Sequence, residues 1–143
     1  MTEVTFHFNV PDRLNYSCRL LRKAFIKGAS VAVTGEAPTL AELDFLLWSM
    51  APHEFVPHCM QGALEQTLEM TRIVLTESID LVDCSEVLIN LGQQAPIAFE
   101  RFERLIEVVS PDESDRLAAR RRWKHYASRG YVLLKHDFVP GSA

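Results

Sequence analysis

The chain has 143 residues, 48% of them hydrophobic, and a formal net charge of −4 at pH 7. This size and composition predict a single domain over residues 1–143 whose core needs neither disulfides nor a metal ion. Three cysteines outside any Cys-x-x-Cys pair indicate a reducing compartment, and no apolar run suggests secretion or membrane insertion, so we expect a cytoplasmic protein.

The N-terminal segment predicts a strand, a helix and a second strand. Residues 4–10 (VTFHFNV) are β-branched and aromatic, and apolar residues then recur at helical spacing over residues 14–25, up to Gly28. Residues 30–34 (SVAVT) are small and continuously apolar, as in a strand buried on both faces. This βαβ pattern predicts a parallel sheet. No glycine-rich phosphate loop occurs in the chain, so we predict no nucleotide cofactor.

A second helix is predicted over residues 39–50, opened by a capping box of Thr39 and Glu42. Its apolar arc consists of Leu40, Leu43, Leu46, Leu47 and Met50. Phe45 and Trp48 project to the other side of this helix, and the loop that follows can hold Phe55 against the same surface. Large aromatic residues outside a core stripe indicate a protein interface, unless a second packed layer covers them.

The middle of the chain carries weaker signals. His53, His58 and Cys59 lie close in sequence, but their spacing fits no standard zinc pattern, so we predict no metal site. Residues 59–70 are compatible with a helix interrupted by Gly62. Residues 71–76 (TRIVLT) and 86–91 (EVLINL) are better strand candidates, so the sheet should have at least four strands.

A further amphipathic helix is predicted after Pro96. Residues at core spacing are Ala98, Phe102, Leu105 and Val109. The residues expected to face water are Glu100, Glu103, Arg104 and Glu107. In all, the pattern predicts the α/β class: one Rossmann-like domain with a mainly parallel sheet flanked by helices.

Residues 110–131 (SPDESDRLAARRRWKHYASRGY) predict a capped, basic, aromatic helix. Ser110 and Glu113 form a capping box, Pro111 suits the first helical position, and Gly130 ends the helix. At about 100° per residue, one face and its edges carry the residues Arg116, Arg120, Trp123, Lys124, Tyr126 and Ala127. Arg122 points about 200° away from Arg120.

The helix belongs to a basic C-terminal segment. Residues 1–115 contain 8 Lys and Arg against 18 Asp and Glu, whereas residues 116–143 contain 7 against 1. Such a dipolar molecule can attract an anionic partner to its basic end, although a solvated helix face has the same composition. After the helix we predict a strand over residues 131–134 and a disordered tail over residues 139–143.

The sequence contains no Gly-x-Ser-x-Gly elbow, no His-Glu-x-x-His motif and no glycine loop. His7, Asp12, His136 and Asp137 could meet in space, but polar residues at strand ends more often form turns and caps. We therefore predict no catalytic residues.

Two segments carry a family resemblance: FVPH at residues 55–58 after Trp48, and ARRRWKHYASRGY at residues 119–131. Together they resemble the chi subunit of bacterial DNA polymerase III holoenzyme, and the similarity covers essentially the whole chain. The resemblance implies a noncatalytic clamp-loader accessory with a mononucleotide-binding-like fold. Its implied partners are the psi subunit and the acidic C-terminal tail of single-stranded DNA-binding protein.

Carried over by motif, the tail site would comprise Val109, Arg116, Arg120, Trp123 and Lys124, with Val109 lining an apolar pocket. Trp48 and Phe55 would face psi. The sequence departs from the family pattern at Trp123, where a tyrosine is familiar, and at Ala127, where another basic residue can occur. A tail site here should therefore be less charged and more apolar.

Two rival functions fit parts of the same pattern. Direct binding of single-stranded nucleic acid would use the arginines for phosphates and Trp123 to stack a base, but the acidity of the whole chain argues against it. A small nucleotide-utilising or hydrolytic enzyme fits the fold class alone and lacks the phosphate loop.

Overall fold

The computed structural model describes residues 1–140, apart from the side chains of residues 65, 66 and 69. Within that part of the chain the strands are β1 (Glu3–Phe8), β2 (Val31–Thr34), β3 (Cys59–Met60), β4 (Ile73–Thr76), β5 (Val87–Asn90), β6 (Arg104–Val108) and β7 (Leu133–Asp137). The α-helices are α1 (Arg13–Ile26), α2 (Ala37–Trp48), α3 (Glu65–Met70) and α4 (Glu113–Ser128).

The strands form one sheet in the order β3-β4-β2-β5-β6-β1-β7, and every neighbouring pair is parallel. The predicted α/β class with a Rossmann-like parallel sheet is therefore confirmed. The opening βαβ pattern does run β1, α1, β2, but two other strands, β5 and β6, lie between β1 and β2. The chain thus crosses the middle of the sheet in its first connection.

The sheet is covered on both faces, as its strand compositions predict. All four residues of β2 and all four of β4 are buried, because each strand has helices or loops above and below it. On one face, α1 and α2 pack a core that includes Leu21, Leu43 and Leu47. On the other face, Tyr126 of α4 packs with Phe102 and with alternate residues of the strands.

The first two helices begin differently from each other. Asp12 caps α1, because its carboxylate accepts a hydrogen bond from the backbone N–H of Asn15 at 3.1 Å. The predicted Thr39 capping box on the second helix is wrong: α2 begins at Ala37, and no side chain caps its N-terminus. Pro38 occupies the first turn, where it needs no N–H partner, and so allows the helix to begin before Thr39.

The predicted helix after Pro96 is also wrong. Residues 99–101 form a single 3₁₀ turn, and the segment then enters the sheet as β6 between β5 and β1. A strand that is buried on both faces can also carry apolar residues three and four positions apart, so their spacing alone did not distinguish a helix from a strand. Glu107, predicted to face water, is fully buried.

The basic helix is confirmed, but its start is shifted. Asp112, and not Ser110, is the N-cap of α4, and its carboxylate accepts a hydrogen bond from the backbone N–H of Asp115 at 3.4 Å. Pro111 consequently precedes the helix. Gly130 has a φ of +85°, the left-handed conformation that favours glycine, and it follows the last turn as predicted.

The three cysteines are free thiols. Cys18 and Cys59 are buried and Cys84 is half-buried, and burial raises the pKa of Cys18 to about 11.

The final strand is longer than the predicted one over residues 131–134, because β7 continues to Asp137. Residues 141–143 of the predicted tail lie outside the described residues. Across residues 1–140, none of the helices has the length and apolar character that a bilayer crossing requires.

Candidate functional site

An apolar cavity of about 240 Å³ opens beside α4, between this helix and the edge of the sheet. Its wall is formed by Phe8, Ala119, Arg120, Trp123 and Lys135. The Trp123 ring packs against Phe6, with 5.1 Å between ring centroids, and the Lys135 ammonium lies 5.3 Å from the centroid of the indole. We call this the tryptophan pocket. It combines an apolar wall with two cations at its rim.

Arg120 connects the tryptophan pocket to a second depression, of about 200 Å³, on the same side of α4. That depression is lined by Glu113, Arg116, Leu117 and Arg120. Lys124, one turn after Arg120, is exposed and shares this face. The structure therefore brings together Arg116, Arg120, Trp123 and Lys124 along one side of the helix, as the sequence predicted.

Val109 does not join this surface. It directly follows β6 and is fully buried in the core that α4 covers, and its backbone N–H donates to the carbonyl of His7 at 2.9 Å. Its side chain has no exposed surface and does not line the tryptophan pocket. Phe8 and Ala119 supply apolar wall in its place.

Arg122 is likewise not a surface arginine. Its side chain is buried, and its Nε donates to the Glu107 carboxylate at 3.0 Å. Glu107 also accepts from the Tyr126 hydroxyl at 2.6 Å and from the Asn90 side-chain amide at 3.1 Å. Burial raises the pKa of Glu107, and these three donors oppose that effect. We call these four residues the Glu107 cluster; it ties α4 to β5 and β6.

Sequence reasoning missed three residues of the tryptophan pocket: Phe8, Ala119 and Lys135. Phe8 and Lys135 come from β1 and β7, which pair in parallel at the sheet edge next to α4. Residues 133–137 (LLKHD) do not alternate between apolar and polar side chains, so no pattern indicated that the strand continues past Leu134. A longer final strand would have placed Lys135 beside the helix.

An exposed aromatic surface lies at the end of α2, on the opposite face of the sheet from α4. Phe45 and Trp48 are largely exposed, and the ring centroids of Trp48 and Phe55 are 5.0 Å apart. The predictions that these side chains leave the core stripe and that Phe55 packs against the same surface are confirmed. We call Trp48 and Phe55 the aromatic pair.

The ring of His58 packs against both rings of the aromatic pair. Its ring centroid lies 5.4 Å from that of Trp48 and 6.0 Å from that of Phe55. The two ring nitrogens of this buried histidine are 2.8 Å from the carbonyl oxygen of Val56 and 2.9 Å from the Asp44 carboxylate. His58 therefore fixes the loop that presents Phe55, while His53 is solvent-exposed.

The polar residues considered for catalysis meet only in part. The rings of His7 and His136 are 4.8 Å apart, and burial together with the nearby His136 lowers the pKa of His7 to about 4. Asp12 faces Asn15 as a helix cap, and Asp137 accepts from the Asn9 side chain at 3.2 Å. Across the described residues, no group of three or more His, Cys, Asp or Glu side chains could hold a metal ion.

Comparison with known proteins gives one consistent family. A family model described as "DNA polymerase III chi subunit, HolC" matches residues 1–134. The DNA polymerase III subunit chi of Pseudomonas aeruginosa is 32% identical over 142 residues, covering 95% of this chain and 96% of that protein. The subunit chi of Haemophilus influenzae is 30% identical over 118 residues, covering 82% and 81%. The chain belongs to the DNA polymerase III chi subunit family.

Proposed function

We propose that this protein is a noncatalytic, cytoplasmic accessory subunit of the replicative DNA polymerase III holoenzyme. It connects the clamp loader, through the psi subunit, to the acidic C-terminal tail of single-stranded DNA-binding protein. The observation that carries this proposal is the tryptophan pocket, an apolar cavity with cations at its rim on the basic helix. Membership of the chi family supports the place in DNA replication.

The tryptophan pocket suits a peptide that ends in an aromatic residue. A cavity of about 150 Å³ is large enough to bind benzene in a protein interior, and this pocket, at about 240 Å³, exceeds that size. Phe8, Ala119 and Trp123 would contact the peptide's terminal ring. Burial of that ring supplies the apolar part of the affinity.

The cations around the pocket suit the charges of the same peptide. A terminal carboxylate lies next to the terminal ring, so Arg120 and Lys135 at the rim can bind it while the ring occupies the cavity. Arg116 and Lys124 extend the positive surface towards the acidic residues that precede the terminus. Glu113, which lines the neighbouring depression, opposes them and weakens binding there.

The aromatic pair is the proposed psi contact. Trp48 and Phe55 form an apolar patch that is held in place by the buried His58, which contacts both rings and is hydrogen-bonded to Asp44. Aromatic anchors of this kind dominate the binding energy of protein interfaces. The patch and the tryptophan pocket belong to opposite faces of the sheet. One molecule can therefore bind both partners at once.

The geometry of Trp123 favours a peptide over direct binding of single-stranded nucleic acid. A base needs an open indole face for stacking, whereas Phe6 packs against this ring and Lys135 lies over it. The net negative charge of residues 1–115 would also repel a nucleic-acid backbone.

Titration calorimetry with a tail peptide and with a bare oligonucleotide tests the proposal. We expect the peptide to bind with a dissociation constant on the order of micromolar, about −8 kcal/mol, and to bind more weakly as salt is added. The oligonucleotide should bind at least about tenfold more weakly at physiological salt. Tighter binding of the oligonucleotide would instead assign the basic helix to nucleic acid.

A further inference from the structure

A larger cavity, of about 590 Å³, lies on the other side of α4 from the tryptophan pocket. It lies between this helix and residues 93–100, which follow the carboxyl end of β5, and it is open to solvent. Its volume falls in the range of about 300–1,000 Å³ that is typical of small-molecule sites. Parallel α/β sheets commonly bind ligands at this edge. The cavity is therefore suited by size and position to a small ligand.

The charge of this cavity is predominantly positive. Arg121 and His125 of α4 line it, together with the buried Arg122 and with Arg129, which directly follows this helix. Glu100 is the acidic residue on its wall. Since the charge of Arg122 is matched by Glu107, Arg121 and Arg129 leave an excess of positive charge in the cavity. An anionic ligand fits this balance.

Arg122 provides an independent sign of a missing partner. Its Nε donates to Glu107 and its Nη1 donates to the carbonyl of Gln93 at 3.0 Å. Its Nη2, in contrast, is the one buried side-chain nitrogen or oxygen of the described residues that has no hydrogen-bond partner. An unpaired buried guanidinium N–H is costly, and since the Arg122 side chain lines the cavity, a ligand oxygen that displaces the atoms covering Nη2 would satisfy it.

We propose that this cavity binds the phosphate group of a small phosphate ester such as a nucleoside monophosphate. Guanidinium groups bind phosphate oxygens through several directed hydrogen bonds, and Arg121, Arg122 and Arg129 would supply them. Ile97 and Phe99 add apolar side chains to the wall of the cavity, against which the organic part of the phosphate ester can pack. Arginines would thus replace the glycine-rich phosphate loop that the sequence lacks.

The test is an NMR titration of the ¹⁵N-labelled full chain with thymidine monophosphate and, separately, with inorganic phosphate at constant ionic strength. The expected result is saturable shifts of the Gln93 and Gln94 amides and of the Arg122 Nε–H, with the Trp123 indole unchanged. The ester should bind at least as tightly as phosphate, because the cavity has room for it. Shifts that rise linearly without saturation, or an ester about tenfold weaker than phosphate, would overturn the proposal.

Variants separate this site from general attraction to the basic segment. Arg121→Ser combined with Arg129→Ser should weaken binding of thymidine monophosphate about tenfold or more, because both charges line the cavity. Both side chains are exposed, so the variant should stay folded. The matched control, Arg19→Ser on α1, removes an exposed arginine on the opposite face and should change binding less than about twofold. Equal losses in both variants would overturn the proposal.

Discussion

Arg122→Ala is expected to lower the free energy of unfolding by about 3–5 kcal/mol, the usual cost of removing one partner from a buried ion pair. Arg122 and Glu107 are 3% and 0% exposed, and their charged atoms lie 3.0 Å apart. Without Arg122, the Glu107 carboxylate stays buried with only the neutral donors Asn90 and Tyr126. Urea denaturation at pH 7 measures the loss.

The matched control for this prediction is Arg121→Ala, which removes the same charge from the exposed side of the same helix. It should change stability by no more than about 0.5 kcal/mol. Glu107→Gln added to Arg122→Ala should restore part of the loss, because it removes the charge that lost its partner. Additive losses in the double variant would contradict the ion-pair explanation.

Trp48→Glu is expected to weaken association with a psi subunit by at least about 2 kcal/mol, and to leave this protein folded. Trp48 is 62% exposed, so little of its burial is lost in the free chain. A carboxylate at the centre of the apolar patch would have to be desolvated on binding. Calorimetric titration with purified psi measures the affinity, and circular dichroism monitors the fold.

Leu81→Glu provides the control for the aromatic pair. Leu81 is 64% exposed, similar to Trp48, but it lies in the 3₁₀ turn after β4, away from α2. This variant should bind psi as the unchanged protein does. Equal weakening by the two variants would mean that psi responds to surface charge in general, and unfolding of Trp48→Glu would assign this residue to the core.

The parallel sheet was predictable because β2, β4 and β5 are short apolar runs with nothing helical in their spacing. β6 was mistaken for a helix because Leu105 and Val109 also fit a helical stripe, and Glu107 looked like its polar side. A buried carboxylate cannot be identified from sequence when its partners, Asn90, Arg122 and Tyr126, come from distant elements. The order of the strands in the sheet also depends on contacts between residues far apart in the sequence, so it could not be predicted either.

The candidate site was predictable where it lies on one helix. Helical geometry alone places Arg116, Arg120 and Trp123 on one side of α4. Val109 was misplaced because the resemblance assigned it a pocket, whereas the strand it follows turns it into the core. Lys135 was missed because its contact with Trp123 depends on the pairing of β7 with β1.

The most direct test of the tail-binding account is calorimetry of the tail peptide with Arg120→Ala and Arg121→Ala. Arg120 lines the tryptophan pocket and Arg121 does not. Arg120→Ala should cost roughly 1.5–3 kcal/mol of binding energy, as expected for a hydrogen bond to a terminal carboxylate, and Arg121→Ala should cost little. A peptide without its final aromatic residue should bind poorly to the unchanged protein. Equal losses from the two arginines, or indifference to the missing aromatic residue, would contradict a specific pocket and indicate diffuse attraction to the basic helix.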